Sequence, residues 1–188
     1  MRETLLSLIS GLCLLTSVGC RAVTAQKSSV DVYIDGNGQF PSYLVGNWKT
    51  ELGDWEIEFN PDGTIEHAVI SLGRVKIKPG HTTTVPMVLG GKGTFTPGKW
   101  TVRYLQQQQQ LIVEIVIDSF RIELGDNVIY GKTMEFFSGT VTENSNVWLA
   151  ERYNYPEYFV NTDKYKNYLL PVDPNENPRE YLAFIKAH

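Results

Sequence analysis

The stretch "DWEIEFNPDGTI", residues 54–65, decides the fold class. Trp55, Ile57 and Phe59 alternate with Asp54, Glu56 and Glu58. Successive side chains on an extended chain point to opposite faces, so the aromatic set buries one face of a strand while the acidic set faces solvent. The run ends in Asn60-Pro61-Asp62-Gly63, where Pro fixes φ and Asp-Gly accepts the positive φ of a tight turn. The chain therefore turns back as a second strand from Ile65.

The same period recurs along the chain. Val75 and Ile77 oppose Arg74, Lys76 and Lys78; Trp100, Val102 and Tyr104 oppose Lys99, Thr101 and Arg103; Phe120, Ile122 and Leu124 oppose Ser119, Arg121 and Glu123. Residues 111–117 are apolar at odd positions, so the buried parity changes near Asp118-Ser119, where a bulge or corner restores the register. Residues 106–110, all glutamine, read as a hairpin loop. The last two strands are expected at 128–137 and 147–153, joined by a turn at 143–146. With about eight to ten strands separated by turn residues, the pattern is an all-β antiparallel barrel or sandwich. One short helix is expected at the C-terminus, with Asn177 as N-cap, Pro178 at its first position, and Tyr181, Leu182, Phe184 and Ile185 sharing a face.

The first 25 residues stand apart. Arg2 precedes an uncharged, leucine-rich run from Leu5 to Leu15, the length of a signal-peptide core and too short to span a bilayer. The chain is therefore expected to be exported. The run closes on "TSVGC", which resembles the lipobox of bacterial lipoproteins; that resemblance implies diacylglyceration of the Cys20 thiol and a membrane anchor there. Ser17 stands where that family has an aliphatic residue, and Val23 and Ala25 offer an ordinary cleavage site before Gln26, which would give a soluble periplasmic or secreted protein instead. Both cysteines, Cys13 and Cys20, lie in this leader, so the exported domain cannot form a disulfide. Residues 26–39 read as a polar tether, 40–153 as the barrel, and 154–188 as a tyrosine-rich extension packed on it.

Net charge is -4 with a pI near 5.4, which gives no reason to expect nucleic acid. The 42% hydrophobic content excludes general disorder. The three histidines, His67, His81 and His188, lack metal-ligand spacing, and no nucleophile, phosphate or dinucleotide motif is present, so no catalytic residue, metal or cofactor is expected. Glu56, Glu58 and Glu66 with His67 can be drawn as an acid/base group, but Glu56 and Glu58 alternate with apolar residues and so face solvent. His67 shares the parity of Ile65 and Val69, which points it into the barrel. The basic face Arg74, Lys76 and Lys78 suits an anion or an edge strand guarded by lysines.

Gly46-x-Trp48 in "LVGNWKT", residues 44–50, followed by "FNPDGTI" and "GKWTV", resembles the small lipocalin-like domains of bacterial exported proteins. The resemblance implies an up-and-down barrel, with Gly46 and Trp48 as structural residues at its closed end and an open end that holds an apolar ligand. Trp55, Phe59, His67, Trp100 and Tyr104 are then the ligand-binding candidates. "GNWKTELGDW" is also similar to the first strand of avidins, but the positions that bind ligand there fall on Thr50 and Asp54, so biotin is not expected. Two functions remain: an envelope lipoprotein that binds a small apolar or amphipathic ligand, or one whose barrel is filled by its own side chains and whose surface meets a partner not identified by sequence.

Overall fold

The computed structural model describes residues 29–36, 38–72, 74–87, 90–161, 168–169 and 179–187. The leader, with Cys13 and Cys20, and the expected helix cap at Asn177-Pro178 lie outside them. The described chain is all-β. In chain order the strands are β1 (Val30–Ile34), β2 (Gly46–Thr50), β3 (Glu56–Phe59), β4 (Ile65–Ile70), β5 (Val75–Ile77), β6 (Thr83–Pro86) and β7 (Lys92–Pro97). They continue as β8 (Trp100–Leu105), β9 (Gln110–Leu124), β10 (Asn127–Thr140), β11 (Val147–Asn161), β12 (Tyr168–Leu169) and β13 (Glu180–Lys186).

Hydrogen bonding joins them in the order β1-β8-β9-β10-β11-β13-β2-β3-β4-β5, with β7 on the far half of β9, β6 on β7 and β12 on β11. Among the described residues this ladder does not close: beyond β5 the link to the β6 segment is the isolated bridge Lys78–His81. Nor is it purely antiparallel, because β1 runs parallel to β8. That strand also corrects the tether, since Val30 is buried and order begins before residue 40.

The quoted stretch folds as its alternation requires. Trp55, Ile57 and Phe59 are at most 1% exposed, and the amide of Gly63, at φ +82°, donates to the Asn60 carbonyl at 2.9 Å. Only glycine suits this turn: a Cβ on residue 63 would lie 2.8 Å from the Phe40 ring and 2.9 Å from Val32. The parity change in β9 is also present. Gly131 pairs Phe120 and Thr133 pairs Ile117, so one extra residue bulges at Asp118-Ser119 and burial switches from odd to even positions. The β8–β9 loop is the glutamine run, as a 3-10 turn at Gln106–Gln108 with Gln109 in the left-handed region at φ 50°.

The C-terminal helix is corrected. Residues 180–186 form strand β13, which fills the place between β11 and β2 through pairs such as Trp148–Phe184 and Phe184–Thr50. Leu182 and Phe184 turn inward while Tyr181 and Ile185 are exposed. A five-residue apolar run, Tyr181 to Ile185, fits either period, and here the two waiting strand edges outweigh a helix that would leave them unpaired. The boundary at 153 is corrected as well, because β11 runs unbroken through Tyr153, Tyr155 and Tyr158.

Candidate functional site

Gly46 takes φ +110°, which lets the chain leave a 3-10 turn at Ser42–Leu44 and enter β2. Trp48 is fully buried and its Nε1–H donates to the Leu44 carbonyl at 2.8 Å, so the indole ties strand to turn. Lys186, with Nζ 5.9 Å from the centre of the Trp48 ring, donates to the Tyr43 carbonyl at 2.7 Å and closes the same corner. Burying such a side chain is worth about 3 kcal/mol.

Four of the expected ligand residues are packed. Trp55, Phe59, Trp100 and Tyr104 are all at most 3% exposed. Trp55 meets Phe137 edge-on at 5.0 Å, Phe137 meets Phe184 at 5.7 Å, and Phe184 stacks on Trp148 at 4.8 Å. Phe59 packs on Phe40 at 5.7 Å, and Trp100 Nε1–H donates to the Val116 carbonyl at 2.9 Å. The two positions aligned with avidin ligand groups bond to each other, Thr50 Oγ1–H to Asp54 Oδ1 at 2.5 Å, and close the β2–β3 turn.

The inner face is not wholly apolar. Thr133, Glu135 and Phe137 alternate inward on β10, at 5%, 4% and 0% exposure. The Arg152 guanidinium donates to Glu135 Oε2 from Nε at 2.9 Å, lies 2.8 Å away through Nη2, and sits 4.9 Å over the Trp55 ring. Its remaining arm reaches Glu180 on β13. Asn154 donates to the other Glu135 oxygen and accepts from Thr133. Burial raises the Glu135 carboxyl to about 7 against the opposing pull of Arg152. The network joins three strands, and both carboxylate oxygens are satisfied, as a buried ion requires.

His67 does not enter the interior. Glu58 pairs His67 and Phe59 pairs Ile65, so Glu66 is an extra residue that shifts His67 to the face of Glu56 and Glu58. There its Nε2 is 3.0 Å from Glu56 and its Nδ1 3.0 Å from Glu58, while the ring is buried. Glu56 is thus less solvated than alternation implied. Burial acts to raise its pKa, but bonds from His67, Asn47 and Lys49 outweigh it and hold the carboxyl at about 2. The basic residues opposite are spoken for in part: Lys78 pairs Glu66 at 2.6 Å and Arg74 donates to the Leu52 carbonyl at 2.9 Å.

One cleft, of about 440 Å³, lies between the 3-10 turn before β2 and the glutamine loop. Phe40, Pro41 and Tyr43 form one wall and Gln106, Gln109 and Glu143 border the other. Tyr104 lies in the lining, its hydroxyl 2.6 Å from that of Tyr43. Burial, with the Tyr104 bond and Glu143 adding to it, raises the Tyr43 pKa and keeps the phenol neutral. Of the expected ligand residues, Tyr104 alone borders this cleft. Comparison of the chain with family models, curated proteins and solved structures gives no match.

Proposed function

We propose that this chain is a non-enzymatic protein of the cell envelope, anchored through lipid on Cys20, whose lipocalin-like, barrel-type sheet is filled by its own side chains and works through its outside. The observation that carries this reading is the interior packing: Trp55, Phe59 and Trp100 are at most 1% exposed, and Trp55, Phe137, Phe184 and Trp148 form one chain of aromatic contacts, edge-on and stacked. A ligand in their place would have to displace contacts already made at close-packed density. The non-enzymatic part rests on His67. Each of its ring nitrogens lies 3.0 Å from a carboxylate oxygen, Glu56 on one side and Glu58 on the other, so the ring is engaged at both ends on the outer face of the sheet.

Titrating the protein with fatty-acid and retinoid-like probes while following tryptophan emission tests the filled interior. No saturable quenching is expected; saturable, micromolar quenching would restore the apolar carrier. The anchor is tested separately: Cys20→Ser should move the protein from the membrane to the soluble fraction, and a mature chain beginning at Gln26 by intact mass would overturn lipidation. The carrier reading keeps one observation in its favour, the cleft that Phe40 and Tyr104 border.

A further inference from the structure

Seven large apolar side chains are exposed among the described residues, and five of them share one face of two paired strands. Val147, Leu149 and Tyr155 take the outward parity of β11, while Trp148 and Ala150 between them are buried. On β13, Ile185 lies opposite Val147 and Tyr181 opposite Glu151, so both turn the same way. A strand with water on one side alternates apolar with polar, whereas one covered on both sides is apolar throughout. β11 opens on Val147-Trp148-Leu149-Ala150, the second pattern, yet Leu149 is 65% exposed. The apolar surface continues onto β10, where Phe136 meets Tyr153 edge-on at 6.1 Å. Charge is settled within the chain. Glu151, inside the patch, pairs Arg179 at 3.1 Å and accepts from the Tyr181 hydroxyl at 3.4 Å. At the borders Lys49 pairs Glu56 at 3.1 Å and Lys132 pairs Glu157 at 3.0 Å. The patch therefore offers no unbalanced charge to an ionic partner or an anionic headgroup, and an identical patch laid on it meets no like charge.

We propose that the partner of this face is a second copy of the chain, the outer side of β11 and β13 packing on the same surface of its mate about a two-fold axis. The five side chains are 39–77% exposed, and at roughly 150–250 Å² for a large apolar side chain they leave about 500 Å² uncovered. That is as large as the biggest patch on a typical monomer, where such patches serve contacts. Two of them face to face bury about 1,000 Å², the threshold of a specific interface, before Phe136 is counted. A two-fold contact requires a surface complementary to itself, which a neutral apolar sheet face is. Tyr155 and Tyr181 suit it further, since each buries a ring and keeps a hydroxyl for water at the rim. The inference rests on the reading that the protein acts from its outside, and it gives that outside a partner.

Sedimentation equilibrium of the full chain in a density-matched detergent tests it. A reversible equilibrium between one and two chains is expected. Leu149→Arg puts a charge inside the face and acts twice in a symmetric dimer, so it should raise the dissociation constant by about a hundredfold. Tyr181→Ser should weaken the dimer as well, whereas Tyr33→Ser, which removes an exposed tyrosine on β1 at the end of the hydrogen-bonded order, should leave it unchanged. All three positions are exposed, and an unchanged urea midpoint at concentrations where the chain is monomeric shows that each variant keeps the fold. A single-chain mass up to the solubility limit, or a dimer that Leu149→Arg leaves intact, overturns the proposal. The mass measurement and the probe titration fail separately. A dimer together with saturable quenching overturns the filled interior and keeps the interface, and a monomer without quenching does the reverse.

Discussion

Glu135 makes the stability of this protein depend on pH in a direction opposite to most carboxylates. In the unfolded chain its carboxyl titrates near 4.5, and in the fold burial raises it to about 7. Between those values the folded state holds a proton that the unfolded state has released, so the contribution of this group is complete below pH 4.5 and is lost as pH rises through 7. At about 1.4 kcal/mol per unit, the full interval amounts to about 3 kcal/mol. Glu135→Gln mimics the protonated form at all pH values and should abolish that slope. Its own loss of bonds to Arg152 and Asn154 lowers stability by about 1–2 kcal/mol at pH 5, where the native carboxyl is already neutral. Urea unfolding at pH 5, 6, 7 and 8 separates the two effects: the difference between wild type and variant should change by about 2–3 kcal/mol from pH 5 to pH 8, so that the variant, the less stable at pH 5, is the more stable at pH 8, since only the wild type loses stability through this group. Parallel curves would refute the reasoning, because other titrating groups are common to both proteins and cancel in the difference.

Trp48→Ala should destabilise by about 3–5 kcal/mol in chemical unfolding, since it empties a fully buried site and leaves the Leu44 carbonyl without its donor; a change under about 1 kcal/mol would show that Gly46-x-Trp48 is not structural. Glu56 behaves in the opposite sense to Glu135. Its folded value of about 2 lies below the unfolded 4.5, so its contribution is complete above pH 4.5 and is lost as pH falls toward 2. Glu56→Gln should therefore flatten the acid limb of the stability curve, measured from pH 5 down to pH 2.5, and an unchanged limb would show that the bonds to His67, Asn47 and Lys49 contribute nothing.

Sequence carried the fold wherever one strand face is apolar and the other polar. Trp55, Ile57 and Phe59, then Trp100, Val102 and Tyr104, are buried as their alternation demands, and even the bulge at Asp118-Ser119 was legible as a change of parity. The period failed where packing sets it aside. At Glu66 a bulge reverses the parity after the Asn60–Thr64 turn, and the two residues on either side, Ile65 and His67, offer no change of character that would announce it. In β13, Tyr181, Leu182, Phe184 and Ile185 satisfy helix and strand alike. What decides is the pair of edges on β11 and β2, and β2 lies at the other end of the chain.

The buried ion network shows the difference between a signal that is absent and one that is distributed. Neither "MEFFSG" nor "AERYNY" alternates cleanly: Phe136 and Phe137 put aromatic rings on both faces, as Tyr153 and Tyr155 make the outer side of β11 as apolar as its inner side. Judged one strand at a time, Glu135 and Arg152 are therefore ordinary surface charges. Judged as a hairpin they are not. The turn expected at 143–146, folded midway between Asn144 and Ser145, sets Glu135 opposite Asn154 and Phe137 opposite Arg152, the observed register. Phe137 is inward because it meets Trp55, so Glu135 and Arg152, on the same face, must be inward too and must find each other. An ion pair inside the sheet follows from the turn, the period of two and one aromatic contact. The cleft has no such route from sequence, since Tyr43 and Tyr104 come together only when β1 and β8, far from β2 in the chain's hydrogen-bonded order, fold over the 3-10 turn before it.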